Sequence, residues 1–405
     1  MRATQVLAIA VVLVAIATFF IGYYVSPPKT ITTTQTVAYT VTTTFTQAIT
    51  PTVAPSTTTI IQTVVKEVSR HEVKYPITIV DSAGRTVTIE KEPQRVVVAS
   101  TAFYLLLALG VGDKIVGVTD FYYKDPILMS ILIKQKGGKG DVINIGPSPG
   151  GFEAILSANP DLVIVPSRVQ RSAVDELVKK LPPNITTVYF DGYMPVDVFD
   201  ETYKLGLIFN KVDKALELIS KWSARFAYVV ARSGDIKLSD RAKVYWEGPR
   251  DYQTSGPGGY WHQMLTLAGG INIFEDAQTT WPTISPEAVI ERNPDVIIKY
   301  TWYYNPCTFN SSKPLKDLYY QVISRPGWDK INAVKNNRVY VFTGSYLYGP
   351  GHTAVIALVA KLLYPDVFRG IDPQQWIYDW LRDMGLENPE QVCKLPWVYP
   401  AIPSK

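Results

Sequence analysis

Cysteine and histidine are scarce: the 405 residues hold 2 Cys and 3 His. Cys307 and Cys393 lie too far apart for a zinc motif, and three scattered histidines do not make a bare-metal site. A metal handled by this chain would therefore arrive inside an organic chelate. No nucleophile elbow is present, and the glycine-rich SGPGGYW (255–261) lacks the Lys-Ser/Thr of a phosphate loop. A basic excess is also lacking. The formal charge of +4 comes mostly from Arg2, Lys29, Lys66 and Arg70, and from His71 onward the balance is +1. That excludes the concentrated positive face of a nucleic-acid binder.

Charge is missing altogether from two stretches near the start. VLAIAVVLVAIATFFIGYYV (6–25) has neither charge nor proline. As a helix it would span roughly 30 Å, a bilayer core. Residues 1–26 read as an uncleaved membrane anchor or a cleaved signal segment. Thr30 to Thr63 contains 16 Thr among 34 residues and no charge. Residues 27–75 read as a Thr-rich extracellular stalk, a flexible coil without a partner strand. Outside the cell Cys307 and Cys393 could pair; two inert buried thiols are the alternative.

What is abundant is apolar and aromatic: 47% hydrophobic residues, with 25 Tyr and 9 Trp. ITIVDSAGRTVTIEK (77–91) alternates about a turn and predicts a hairpin. Short apolar runs alternating with helical patterns follow, which predicts parallel sheets covered on both faces. Residues 76–192 read as an N-terminal lobe. Residues 193–240 read as one long connecting helix, with Ala215, Leu218, Ile219, Trp222, Phe226 and Val229 as its apolar stripe. Residues 241–400 read as a C-terminal lobe with a helical tail. One line occurs twice: FEAILSANPDLVIV (152–165) and PEAVIERNPDVIIK (286–299) share Glu, Ala, Asn, Pro and Asp at a constant offset of 134. Each copy is a short helix, a Pro break and a buried strand. The predicted fold is α/β: two Rossmann-like lobes with parallel sheets joined by one long helix.

In combination these segments resemble the substrate-binding proteins of ABC importers for iron complexes, haem and cobalamin. The residues carrying the resemblance are ITIVDSAGRTVTIEKEPQRVVVAS, GFEAILSANPDLVIV, SPEAVIERNPDVII, LAGGINIF and LLYPDVF, spread over roughly 76–390. The resemblance implies an extracytoplasmic, membrane-tethered monomer without an intrinsic cofactor. It would carry an iron or cobalt chelate to a permease and its ATPase, with Glu153 and Glu287 docking on that permease. Read from the residues alone, either Glu can simply stabilise a helix N-terminus.

Ligands of open α/β sheets sit beyond the carboxyl ends of the strands. Aromatics expected there are Tyr122, Trp246, Tyr260, Trp261, Trp302 and Tyr303, large flat surfaces for a bulky, partly apolar ligand. Arg168 follows a strand and suits an anionic chelate, and His262 could reach a haem iron. Each has a plainer reading as core packing, loop charge or cap. A stalked surface enzyme or chelatase acting on a metal-tetrapyrrole is the competing function, and a purely structural surface protein a third.

Overall fold

The computed structural model describes residues 29–40, 59–138 and 140–400, with backbone alone for 29–40 and 59–70. The segment at 6–25 lies outside the described residues, as do 41–58 of the Thr-rich region. Among the described residues no helix is long and apolar enough to cross a membrane. Strands β1 (Lys29–Thr40) and β2 (Thr59–Arg70) pair antiparallel, Lys29 opposite Arg70. Part of the region read as an unpaired coil thus has a partner: TVAYT (36–40) lies in β1. A lone two-stranded ribbon is marginal by itself.

The packed structure begins at His71 rather than 76. Val73 donates to Asn210 Oδ1 at 2.9 Å and the Tyr75 hydroxyl to the Ile208 carbonyl at 2.7 Å, while His71 Nδ1 lies 2.6 Å from Asp213. The predicted hairpin follows as β3 (Ile77–Val80) and β4 (Thr86–Ile89).

The first lobe has five parallel strands: β5 (Val96–Val98), β6 (Ile115–Val118), β7 (Ile143–Asn144), β8 (Leu162–Val165) and β9 (Thr186–Tyr189), in the order β7-β6-β5-β8-β9. Between them run α1 (Ala102–Leu109), α2 (Pro126–Gln135), α3 (Phe152–Ser157) and α4 (Arg171–Lys180). The expected single connector is two helices, α5 (Val198–Ile208) and α6 (Val212–Gly234). Asn210 breaks the run with φ +53°, a left-handed conformation that Asn tolerates. The α6 helix still spans about 34 Å, and it buries Ala215, Leu218, Trp222 and Val229, with Ile219 and Phe226 half-buried.

The second lobe contains β10 (Lys243–Glu247), β11 (Ile271–Asn272), β12 (Val296–Thr301), β13 (Val339–Thr343) and β14 (Val398–Tyr399), in the order β11-β10-β12-β13-β14 with only β14 antiparallel. Its helices are α7 (Tyr260–Leu267), α8 (Pro286–Arg292), α9 (Lys313–Ile323), α10 (His352–Leu363) and α11 (Pro373–Asp383). Cys307 and Cys393 form a disulfide that fastens the approach to β14 onto the loop after β12.

Strand alternation sends side chains into separate layers. Val97, Val163 and Val165 enter an outer core of the first lobe, and Tyr245 and Ile297 enter its counterpart in the second. Val96, Val98 and Ile164 face the other way, as do Val244, Trp246 and Ile298, into one large core that includes α6 and both lobes. Trp222 meets Trp380 of α11 edge to face at 5.8 Å and donates to Asp383 at 2.8 Å. The connector is therefore packed between the lobes and the tail, not a free rod.

The seam between the lobes as a candidate binding site

Each sheet reverses its winding direction next to its first strand, and the crevice at such a switch point is where α/β sheets bind ligands. In the first lobe the switch lies between β5 and β8, and in the second between β10 and β12. The loops leaving β8 and β12 carry Arg168, Trp302 and Tyr303. Trp302 and Tyr303 are 51% and 73% exposed, and Phe121, on the short helical turn after β6, and Val169 and Val196, on first-lobe strand-end loops, are also exposed. Exposed apolar side chains at strand ends in both lobes form a rim suited to a bulky partner.

Below the rim the lobes meet along a seam of tyrosines. Tyr104 on α1 lies 5.3 Å from Tyr348, and Tyr193 lies 5.9 Å from Tyr260. Tyr122 stacks on Phe103 at 4.6 Å, behind Tyr104. The Tyr346 hydroxyl donates to Asp125 at 2.8 Å across the seam, and Asp125 also caps α2 through Ile127 and Leu128. Gly349 donates to the Gly192 carbonyl at 2.8 Å. Gly192 has φ +71°, and a Cβ there would sit 2.5 Å from the Ala102 nitrogen, so no other residue fits this crossing. Gly351, just beyond, lies against the Trp380 indole so closely that a Cβ would be 2.4 Å from it.

His352 opens α10 within this seam, 1% exposed, with its ring 4.9 Å from Tyr260 and 5.8 Å from Tyr348. Neither imidazole nitrogen has a hydrogen-bond partner, and the buried Tyr104 hydroxyl also lacks one. Burial lowers the His352 pKa to about 3, so the ring is neutral at pH 7. Burial likewise raises the phenols of Tyr104, Tyr122, Tyr260 and Tyr300 well above the usual range. Apart from the Asp125 carboxyl, the seam is neutral and polar only at its tips. The space bounded by Tyr260, Trp261, Tyr300, Gly344, Leu347, Tyr348 and Val355 is too narrow for a water molecule. A cargo in the seam requires side chains or lobes to part.

The residues singled out from sequence separate into groups. Tyr122, Tyr260 and Trp261 are buried in or behind the seam, while Trp302 and Tyr303 stand on the rim. Trp246 belongs to no loop: it lies on β10, fully buried, stacked on Trp261 at 3.6 Å with 18° between the planes. It braces Trp261 from behind. Arg168 is occupied by its own lobe, donating to Asp191 at 3.2 Å and Asp197 at 2.7 Å. His262 is engaged with Asn272 at 3.2 Å on a half-buried face of α7. His352, not His262, is the histidine at the seam. Sequence gave no motif to reveal it, since its neighbours come from elements far apart in the chain.

Behind the first-lobe side of the seam, Glu201 is buried and accepts from the Ser82 hydroxyl at 2.5 Å and from the Asp191 and Gly192 amides at 3.0 and 2.5 Å. Desolvation outweighs these bonds and raises its pKa to about 7. In the second lobe Glu247 accepts from Lys299 and Arg325 at 2.6–2.9 Å, and Asp251 joins both cations at 2.9 Å. This network anchors the loop after β10.

The two repeated lines occupy equivalent places in separate sheets, each strand next to its lobe's first strand. Glu153 and Glu287 are both exposed in the first turn of their helices. Ser285 caps α8 by accepting from Ala288 at 3.2 Å; α3 starts at Gly151 without a side-chain cap.

Known proteins share this architecture. A TroA-like periplasmic binding protein, FepB, from Veillonella parvula superposes with a TM-score of 0.61 at 25% identity, covering 76% of this chain and 96% of that one. An ABC transporter substrate-binding lipoprotein, YvrC, from Bacillus subtilis is 28% identical over 73% of this chain and 88% of its own length. A cobalamin-binding protein from Halobacterium salinarum is 28% identical over 55% of this chain and 58% of its own length. The molybdate-binding protein MolA from Haemophilus influenzae is 25% identical over 75% of this chain and 89% of its own. These relatives are solute-binding proteins rather than enzymes, and what they bind is transported cargo rather than a cofactor. The profile described as periplasmic binding protein spans residues 96–346, from the first lobe's first strand to the seam; the chain belongs to that family, the extracytoplasmic substrate-binding proteins of ABC importers.

Proposed function

We propose that the cargo is a metal chelate, a ferric siderophore, haem or cobalamin, taken up between the lobes. The observation that carries this reading is the aromatic seam itself, lined with neutral tyrosines and holding the unpartnered polar atoms of His352 and Tyr104. Aromatic walls suit a large, partly apolar ligand, and buried polar atoms without partners are stabilised by a ligand that supplies them. The names of the cobalamin-binding relatives favour the same class, and MolA supplies the competing one, a small oxyanion. Arg168 speaks against an oxyanion, because its guanidinium already serves two aspartates.

In the same reading Glu153 and Glu287 meet basic residues of the permease, whose ATPase drives import. The N-terminal segment tethers the monomer to the outer face of the membrane. The test uses the purified chain with cyanocobalamin, haemin, a ferric trihydroxamate and molybdate, read by tryptophan fluorescence and melting temperature. Saturable binding of one chelate, weakened in Tyr260→Ala, is expected. Binding of molybdate alone would sink the chelate reading. Glu153→Lys and Glu287→Lys should each reduce stimulation of the importer ATPase at least tenfold while leaving chelate affinity unchanged.

A further inference from the structure

We propose that the C-terminal lobe docks through more than one carboxylate: Trp281 and the hollow beside α8 form, with Glu287, an apolar and acidic surface for a basic segment of the permease. This rests on the docking reading above. The segment 276–284 follows β11 and leads directly into the Ser285 cap of α8. Trp281 on it is 47% exposed. Next to it a solvent-open hollow of about 430 Å³ is lined by Phe274, Pro282, Ile284 and Ala288 together with the polar Asp276, Gln278, Thr279, Ser285 and Arg292. An exposed tryptophan beside an open hollow of mixed apolar and polar lining, just before the helix that carries Glu287, is the composition of an interface anchor rather than of ordinary surface.

Charge identifies the occupant. Arg292 is held by Asp276 at 2.6 and 3.0 Å, and its guanidinium covers the Phe274 ring at 4.5 Å. Exposed Glu275 and Glu287 make no ion pair among the described residues. The surface is therefore apolar in the middle and negative at the edge. A polypeptide offering a cationic side chain with an apolar one beside it complements both parts; an anionic lipid surface does not.

The segment reaches the seam through the loop between β10 and α7, whose Gly259 lies against Thr280. Its inner edge bonds to the loop after β10: Thr254 donates to the Pro282 carbonyl and Gly256 to that of Thr280, both at 2.9 Å, and Ile284 donates to Tyr252 at 3.0 Å. Phe274, Ile284 and Ala288 pack with the second lobe's outer core, not with the seam tyrosines. The first lobe does not repeat this surface. At the constant offset of 134, Trp281, Ile284 and Ser285 correspond to Pro147, Gly150 and Gly151. Two lobes with like-charged handles are told apart by an anchor present on one.

The test uses the full chain and the importer of the same cell, purified in nanodiscs. Trp281→Ser should weaken docking at least tenfold and leave the melting temperature and chelate affinity unchanged. Combined with Glu287→Lys it should add less than the product of the two separate losses, because both act on one surface. A photocrosslinker in place of Trp281 should label the permease. If Trp281→Ser docks normally while Glu287→Lys does not, the anchor is refuted and the docking reading stands; if both dock normally, both fall. Loss of chelate affinity in Trp281→Ser would assign the residue to cargo instead, and crosslinked dimers of the chain would assign the surface to a second copy. Either result overturns the proposal.

Discussion

The two lobes carry the same line of sequence and bury different chemistry beneath it. In the first, Val165 ends the repeat and Ala99 lies alongside it, so an apolar pair occupies this place in the outer core. In the second, the corresponding residue is Lys299, paired in register with Glu247. The sheet order differs too. The first lobe is wholly parallel and short-looped at its switch point, whereas the second closes with an antiparallel strand supplied by the tail and fastened by a disulfide. The lesson is that the repeat specifies where a strand and its acidic handle go, while single residues on the outward face decide whether that place is filled by packing or by ions.

That difference can be broken most severely at the disulfide. It closes a loop of 86 residues, for which the chain-entropy account gives about 4–5 kcal/mol. Cys307→Ser with Cys393→Ser, or reduction of the native protein, should lower the melting temperature by many degrees and loosen β14 first. Hydrogen exchange would show this as lost protection at Val398 with β5 and β8 unaffected. Uniform loss across both lobes would refute a lobe-specific brace.

The next largest effect concerns the buried ions. Removing one partner of a buried network strands the others, whereas an apolar set can be as stable as the charged one. Lys299→Val, which copies Val165, is expected to cost about 3 kcal/mol in denaturant unfolding. Adding Glu247→Gln should recover part of it. A neutral Lys299→Val would mean that the network contributes only loop geometry.

The smallest and most diagnostic effect is in pH, where the lobes have opposite signs. Glu201 has its pKa raised to about 7 in the fold, from 4.5. The folded chain holds a proton that the unfolded chain releases, so its contribution grows on acidification from 7 towards 4.5 and is lost as pH rises past 7. His352 is lowered to about 3, from 6.5. The unfolded chain takes up that proton first, so stability is lost as pH falls below 6.5. Each is worth roughly 2–3 kcal/mol across the accessible range. Melting curves from pH 5 to 8 should lose their alkaline decline in Glu201→Gln. In His352→Gln they should lose the acid decline, leaving the opposite slope exposed. Identical profiles in both variants would contradict the burial of either group.

Much of this architecture was legible in the sequence because it is local. Apolar runs, the Asn-Pro-Asp breaks and the offset of 134 place the strands of both sheets and the two exposed acids. The connector reads as one helix because the stripe from Ala215 to Val229 is unbroken, and Asn210, whose left-handed turn makes the break, lies just before it. The site was less legible. Trp302 and Tyr303 follow a recognisable strand, but Trp246 lies on its strand with its ring in the core. The role of His352 depends on Tyr260, which lies 92 positions earlier in the chain. Arg168 looked free because its partners, Asp191 and Asp197, follow the next strand.

The contact between α6 and α11 has a consequence for how this protein is made. Trp222 and Arg225 lie in the middle of the chain, and the side chains that receive them, Trp380, Asp379 and Asp383, are synthesised more than 150 residues later. A nascent polypeptide thus carries an uncovered tryptophan face until its tail is made, and a premature stop before residue 380 would injure the centre of the molecule rather than its edge.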